Sequence, residues 1–506
     1  MKSKCVKLLQ KMLDWIEIVG NKLPHPATLF ALLALIVLLL SWIGSLCDLT
    51  AIHPSDQSVI TVNSLLNAEG LRWIYTHVMS NFIKFPPLSY VLMVMIGIGI
   101  AEGSGLFKTM IKALVMNAHT SLITAALVFT GVLSHLASEV GYVVLIPLGA
   151  MLFHAMGRHP MAGLAAAFCG VSGGFGANFL IGSNDVILAG LSEEAAKFVD
   201  AGMTVNPAAN YSFMLVSAFM IVVVGTWVTE KIVEPRLGKY EGDVEKMSTD
   251  PLTAKEKKGL LLAFLGLVGI VILMALSVLP GGLLRNPETD EILKSPFFDG
   301  IIVGITAVFL IPGLIYGLVV GTIKNDRDFM KHIANSMKTV SGYIVLVFFA
   351  AQFVYFFKHS NLGIILAIRG AMFLESIHLT GIPLIVAFVL LSAFINLFMG
   401  SASAKWAIMA PVFIPMFMLL QNPYHPALTQ AAFRIGDSVT NLVTPMMSYF
   451  ALIVAFSQKY DEKYGIGTII ATMIPYTVVL TIIWLVLLCL WMATGFPLGP
   501  GGPLHL

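Results

Sequence analysis

Charge is what this 506-residue sequence has least of. Only 11% of its residues are Asp, Glu, Lys or Arg, against 57% hydrophobic, whereas soluble domains carry about a quarter charged residues. That deficit excludes a water-soluble globular domain of ordinary composition. The formal net charge is +2, too small for a nucleic-acid binder, whose affinity rests on neutralising phosphates. Cysteine is scarce as well. Cys5, Cys47, Cys169 and Cys489 are scattered, and no spacing suits zinc, a redox pair or a disulfide framework. There is neither an HExxH motif nor a clustered Cys/His set, so nothing points to an enzyme or to a bound organic cofactor.

Long apolar runs fill the space. Nine are long enough to cross a bilayer, at about 26–47, 86–102, 161–189, 209–230, 258–280, 299–322, 339–358, 427–457 and 468–494. Two more, about 120–156 and 382–421, are interrupted by polar knots, SHLASE (134–139) and GSASAK (400–405). A polar knot inside an apolar segment predicts a re-entrant hairpin, which enters and leaves on one side. The predicted fold is therefore an all-α polytopic membrane protein with nine transmembrane helices and two re-entrant hairpins. Residues 1–25 form an amphipathic stretch expected to lie along the cytoplasmic membrane surface rather than act as a cleavable leader. The first transmembrane half runs over 26–230, a charged cytoplasmic linker over 231–257, and the second half over 258–506.

Basic residues set the orientation. With a cytoplasmic N-terminus, 21 of the 30 lysines and arginines fall on the inner side and seven on the outer, as the positive-inside rule requires. Lys405 and Arg434 remain at membrane depth. The halves also repeat. Ser138, Pro147, His159-Pro160 and Ala166-Ala167-Phe168 recur, at a nearly constant offset, as Ser403, Pro411, His425-Pro426 and Ala431-Ala432-Phe433. In this topology the first hairpin enters from the cytoplasm and the second from outside, so the hairpins are oppositely oriented and the repeat is inverted, an arrangement common among secondary carriers.

The polar residues inside the apolar runs are the candidates for chemistry, because charge at that depth is costly. Arg434, Asp437 and Asn441 follow at i, i+3 and i+7, one helical face. Arg434 can pair with Asp437 or take a substrate carboxylate bidentately. Asp437, with Asn441, can hold a proton or Na⁺, and Pro445 beside Asn441 predicts unwinding. At the second hairpin tip, Ser401 and Ser403 offer hydroxyls, Trp406 a flat face for an aromatic ring, and Lys405 a cap or a snorkelling charge. In the first half, GVSGGFGANFLIGSND (170–185) has five glycines before Asp185. Without a preceding strand it is no phosphate loop, and it predicts a second unwound helix with Asn178 and Asp185 as cation or proton positions. His135 and Glu139 flank the first tip, with Glu139 a candidate for holding a cation. His135 would suit a pH switch, but a lone histidine more often makes an ordinary satisfied hydrogen bond.

GSASAKW, APVFIPMFMLL, AAFRIGDSVTNLVTPMMSY and GANFLIGSND, with NKLPHP near the start and VEPRLG after the fourth crossing, resemble the AbgT family along essentially the whole chain. The resemblance implies a homodimeric transporter of the bacterial inner membrane. Each subunit would have nine helices and two hairpins, and the family is linked to p-aminobenzoyl-glutamate uptake and sulfonamide efflux. It assigns functional roles to Asp185, Ser403, Trp406, Pro426, Arg434, Asp437 and Pro445. The expected function is ion-coupled (H⁺ or Na⁺) transport of a small aromatic carboxylate. Ser403, Trp406, Arg434, Pro426 and Pro445 would hold the substrate, and Asp185, Asp437, Asn178, Asn441 and Glu139 the coupling ion. A Na⁺-coupled dicarboxylate symporter and an uncoupled channel are the competing expectations.

Overall fold

The computed structural model describes residues 24, 26–52, 57–116, 122–137, 141–242, 251–292, 295–447 and 449–506. The expected amphipathic segment, and Ser138 and Glu139 at the first tip, lie outside the described residues. Among those residues the chain is overwhelmingly helical. α1 (Pro26–Leu46) is followed by a small antiparallel hairpin of β1 (Thr50–Ile52) and β2 (Val59–Thr61). Then come α2 (Ala68–Ile83), α3 (Pro86–Gly103), α4 (Leu106–Met116), α5 (Ile123–Leu133), α6 (Ile146–Ala155), α7 (Pro160–Phe168), α8 (Ser183–Ala196), α9 (Tyr211–Val228) and the short α10 (Glu234–Leu237). The second half holds α11 (Ala254–Ser277), α12 (Pro296–Asp299), α13 (Ile301–Val320), α14 (Asp326–His359), α15 (Leu362–Ser376), α16 (Gly381–Asn396), α17 (Ala402–Met418), α18 (Pro426–Asn441), α19 (Phe450–Gln458) and α20 (Ile466–Thr494).

Seven stretches among the described residues are long and apolar enough to cross a membrane: Pro26–Leu46, Ala68–Gly103, Tyr211–Leu237, Ala254–Ser277, Ile301–Val320, Val340–His359 and Ile466–Thr494. They account for seven of the nine predicted crossings. Their outer faces are apolar. α11 buries only Gly259 and Ala263 and turns Leu261, Phe264, Leu265, Ile272 and Leu273 outward. So large an apolar face is unsustainable in water and natural in lipid.

The other two predicted crossings, 161–189 and 427–457, are interrupted. α7 passes into a π-helical turn, Cys169–Gly173, and the chain leaves helix until α8 begins at Ser183. α18 ends at Asn441, and helix returns only with α19 at Phe450. Glycines in the first stretch and Pro445 in the second withdraw helix propensity at the break. Each interrupted helix follows an interrupted apolar segment. α5 runs into a 3₁₀ turn (Ser134–Ala137), and a π turn (Gly141–Leu145) leads into α6. α16 and α17 are separated by a non-helical 397–401. There the main chain passes so close to the second break that a Cβ on Gly400 would lie 2.3 Å from the Met446 carbonyl oxygen.

The repeated His-Pro landmarks are helix starts. His159 Nδ1 accepts the N–H of Met161 and His425 Nδ1 that of Ala427, both at 3.2 Å, and a proline follows each at the first helical position, where its missing N–H costs nothing. The Pro147 and Pro411 landmarks do not match locally, for Pro147 opens α6 while Pro411 lies inside α17. Arg158 ties the first segment down. Its Nε and Nη2 donate to Glu234 and its Nη1 to Thr124, with the guanidinium over the Phe153 ring. The stretch expected as a linker is shorter than 231–257. Helix continues to Leu237 and resumes at Ala254, where Thr253 and Glu256 form a reciprocal capping box.

Candidate functional site

All sixteen residues of α18 are buried, including Gln430, Arg434, Asp437 and Asn441. Polar groups buried this thoroughly need partners, and the partners sort them into two clusters.

The first surrounds Arg434. Its Nη1 lies 2.6 Å from Asp185 Oδ1, with side chains 3% and 0% exposed. Asp185 sits in the first turn of α8, where its Oδ2 accepts the Gly182 N–H at 2.7 Å and Asn178 Nδ2 at 3.4 Å. A carboxylate there is favoured by the exposed N–H groups of a helix start. The contact between the two charges lacks hydrogen-bond alignment. Among the described residues, Arg434 Nε, Nη1 and Nη2, Asp185 Oδ1, Asn178 Oδ1 and His135 Nε2 are all buried without an aligned hydrogen-bond partner. Gly176 lets the unwound strand lie against α18, since a Cβ there would stand 2.6 Å from the Arg434 carbonyl oxygen.

The second cluster surrounds Asp437. The Lys405 ammonium bonds both Asp437 Oδ1 and Asn396 Oδ1. Asn396, the last residue of α16, shares the two protons of its Nδ2 among three acceptors, Asn441 Oδ1 at 2.8 Å, Thr440 Oγ1 at 2.9 Å and the Asp437 carbonyl at 2.7 Å. Thr440 Oγ1 donates to the Gly436 and Ala393 carbonyls. Among the described residues, the buried side-chain atoms of Lys405, Asn396, Asp437, Thr440 and Asn441 all find partners within the cluster.

Of the alternatives the sequence offers for Arg434, the i, i+3 pair with Asp437 is not formed. Each turns to a partner on another segment, so both charges are neutralised across segments rather than along one helix. Lys405 neither snorkels nor caps. It is 1% exposed and points inward. The cap of α17 is Ser401, whose Oγ accepts the Ala404 N–H at 3.4 Å and lies 3.4 Å from Ser403 Oγ. Trp406 is fully buried. Its ring stacks on Phe433 with centroids 4.5 Å apart, and Nε1 donates to Ser192 Oγ at 2.9 Å. Ser192 donates to Gln430, Gln430 to Asn210, and Asn210 to the Ala427 carbonyl, an unbroken polar chain linking α8, α17 and α18. Asn396, Ser192 and Gln430 were not anticipated from sequence. Each is an uncharged polar residue in an apolar run, a weak signal on its own.

The AbgT transporter family model matches residues 11–506. The chain belongs to the AbgT family. It is 38% identical over 495 residues to the p-aminobenzoyl-glutamate transport protein of Escherichia coli K12, covering 97% of this chain and 96% of that one. Among solved structures it resembles the Neisseria gonorrhoeae MtrF transporter, described as illuminating a class of antimetabolite efflux pumps, with a TM-score of 0.92 at 46% identity over 97% of this chain and all of that one. It also resembles the Alcanivorax borkumensis YdaH transporter, with a TM-score of 0.87 at 42% identity over 94% of this chain and all of that one. This AbgT-family chain is accordingly a multi-pass membrane transporter and not an enzyme.

Of the positions the family resemblance singles out, the fold joins Asp185 to Arg434 directly and Asp437 to Asn441 and Lys405. Trp406 braces α17 against α8 and α18. Pro426 is the first residue of α18, two turns from Arg434, and Pro445 lies in the break after Asn441. Among the described residues no group of three or more His, Cys, Asp or Glu side chains could hold a metal ion.

Proposed function

We propose that the protein is an ion-coupled secondary carrier of p-aminobenzoyl-glutamate or related small aromatic anions and sulfonamides across the bacterial inner membrane. The observation that carries this reading is Arg434. A guanidinium buried beside a broken helix, whose one acceptor among the described residues is an ill-aligned Asp185 oxygen at Nη1 and whose Nε and Nη2 have none, is a costly arrangement that a ligand carboxylate would complete through paired hydrogen bonds. Ser403 and Pro445 border the same breaks and would line the path, and Pro426 would act only through the start of α18. Contact between substrate and Trp406 requires Phe433 to give up the ring face it now covers. The names of the E. coli and N. gonorrhoeae relatives support the substrate class.

The coupling ion, H⁺ or Na⁺, would act at the carboxylates. Asp185 lies with Asn178, and Asp437 with Asn441. Occupation of Asp437 by Na⁺ requires Lys405 to release Oδ1. The topology proposed with this function has nine crossings, seven continuous and two broken, and two oppositely oriented re-entrant hairpins at α5–α6 and α16–α17 in an inverted repeat. The paired His-Pro caps and the distribution of basic residues support it. A cytoplasmic N-terminus follows from the same distribution, and the lipid-like face of α11 leaves room for a second subunit.

Radiolabelled p-aminobenzoyl-glutamate flux into proteoliposomes, under imposed pH or Na⁺ gradients in each direction, tests the reading. Saturable, gradient-driven flux is expected. Non-saturating conductance would instead indicate a channel, and a preference for C4 dicarboxylates a dicarboxylate symporter.

A further inference from the structure

Both breaks and both interrupted apolar segments meet at one aromatic pair. Tyr142, in the π turn Gly141–Leu145, lies face to face with Tyr449, which directly precedes α19. Their ring centroids are 4.8 Å apart and their planes 10° from parallel. Ser172, in the π turn that opens the first break, has its Oγ 2.9 Å from the Tyr142 hydroxyl and donates to Met447 Sδ at 3.2 Å. A serine hydroxyl has one proton, so Tyr142 is the donor to Ser172. Met447 belongs to the second break, and a Cβ on Gly400, between α16 and α17, would stand 3.2 Å from its Cα. The pair is also in line with Arg434. The unwound chain of the first break runs along α18, for a Cβ on Gly173 would touch Leu442 Cδ1 at 3.3 Å and one on Gly176 the Arg434 carbonyl at 2.6 Å. Leu442 follows Arg434 by eight residues, about 12 Å along the helix axis. The guanidinium and the ring pair therefore border opposite ends of one stretch of unwound chain. Trp406 differs from this pair. It is 0% exposed, Phe433 covers one face and Ser192 takes its N–H, whereas Tyr449 is partly exposed.

We propose that Tyr142 and Tyr449 determine ring specificity by stack exchange. The pair parts by about one ring thickness, roughly 3.5 Å, and a flat ring of the ligand enters between the two faces while its carboxylate pairs with Arg434. Ring contacts on both sides then replace the stack lost on opening, which a saturated ring of similar size cannot do. Tyr142 stays aimed by its bond to Ser172, and Tyr449, beside the second break, supplies the movement. The inference rests on the carrier proposed above and moves ring recognition from Trp406 to two residues outside the expected site.

The test compares N-benzoyl-glutamate with N-cyclohexanecarbonyl-glutamate, which carry the same carboxylates and amide and differ in the flatness of the ring. In proteoliposomes the wild-type protein is expected to favour the benzoyl ligand in kcat/KM by about 10-fold. Tyr449→Leu should bring that ratio to within about threefold of unity, by weakening the benzoyl ligand, and Tyr449→Phe should preserve it. If the pair serves only to join the two halves, Tyr449→Leu slows both ligands together and leaves the ratio unmoved. That result overturns the proposal, as does a wild-type ratio near one. A measurement on the unaltered protein covers the case in which Tyr449→Leu does not fold. Photolysis of bound 4-azidobenzoyl-glutamate, followed by peptide mapping, should place the label within 141–145 or 442–450. Label elsewhere, above all on the helix that carries Trp406, overturns the proposal. Saturable flux of both ligands without discrimination leaves the proposed carrier standing and removes this inference. Failure of the wild-type protein either to transport or to be thermally stabilised by N-benzoyl-glutamate and p-aminobenzoyl-glutamate removes both.

Discussion

Arg434 and Lys405 are both cations buried beside a carboxylate, and both bind segments from different parts of the chain. Their surroundings differ in closure. The Lys405 ammonium meets Asp437 and Asn396, and Asn396 in turn holds Asn441 and Thr440, so that donors and acceptors are matched. The Arg434 guanidinium meets Asp185 through Nη1 without hydrogen-bond alignment, and its Nε and Nη2 have no acceptor among the described residues. A matched network in a low-dielectric interior rigidifies what it joins. It bolts the end of α16 and the start of α17 to the C-terminal turns of α18. An unmatched network keeps an unfavourable interaction in reserve, which binding can relieve. With the proposed function, the difference makes anchoring the expected role of the lysine cluster and recognition that of the arginine cluster, although composition alone makes them look interchangeable.

The sharpest way to break this comparison is to remove each cation in turn. Lys405→Met leaves the Asp437 carboxylate buried and unpaired, which costs about 3–5 kcal/mol. That should appear as a large fall in the unfolding midpoint of the purified protein in detergent. Removing the charge on both sides, with Lys405→Met and Asp437→Leu together, should recover much of the loss, since a buried pair often does little better than an apolar one. A single-mutant cost under about 1 kcal/mol would mean that the network is not an anchor.

Arg434→Gln should act the other way. Asp185 keeps the Gly182 N–H and Asn178 as partners, so the stability loss should be smaller than for Lys405→Met. The main effect falls on the ligand. Affinity for p-aminobenzoyl-glutamate should drop about 100-fold, equivalent to about 2.7 kcal/mol, and thermal stabilisation by the ligand should vanish. If both substitutions reduce stability equally and leave ligand protection intact, the two clusters do the same work.

Much of this was legible in the sequence. Seven continuous spans follow from uninterrupted apolar runs. The two breaks follow from five glycines before Asp185 and from Pro445. The His-Pro landmarks, recognised as a repeat, turn out to be N-caps. Pairing was not legible, because Asp185 and Arg434 stand about half the chain apart in sequence and no local pattern encodes such a contact. The face shared by Arg434 and Asp437 suggested a local pair that the fold does not make. Lys405 was underestimated because a long side chain near a polar tip ordinarily finds water, and only the position of Asn396 and Asp437 shows that it turns inward. α2, α15 and the small β-hairpin also escaped notice. They are too short or too mixed in character to stand out beside the spanning runs.

The smallest expected effect separates bracing from recognition at Trp406. Phe in its place keeps a flat apolar face against Phe433 and loses only the indole N–H, which is shared between Ser192 Oγ at 2.9 Å and the Leu188 carbonyl at 3.3 Å. Ser192 still donates to Gln430, so the polar chain is shortened rather than broken. One neutral buried hydrogen bond is worth about 1 kcal/mol, and Trp406→Phe should cost about that much in unfolding free energy. Ser192→Ala removes the same bond from its other end. The double variant should therefore cost less than the two single costs added together, the mark of a shared interaction. If Trp406 only braces the site, flux through Trp406→Phe should stay within about threefold of wild type. If the indole instead donates to the substrate after Phe433 moves aside, KM should rise at least tenfold while the unfolding midpoint hardly shifts, and Trp406 would then belong with Arg434 on the recognition side of the comparison.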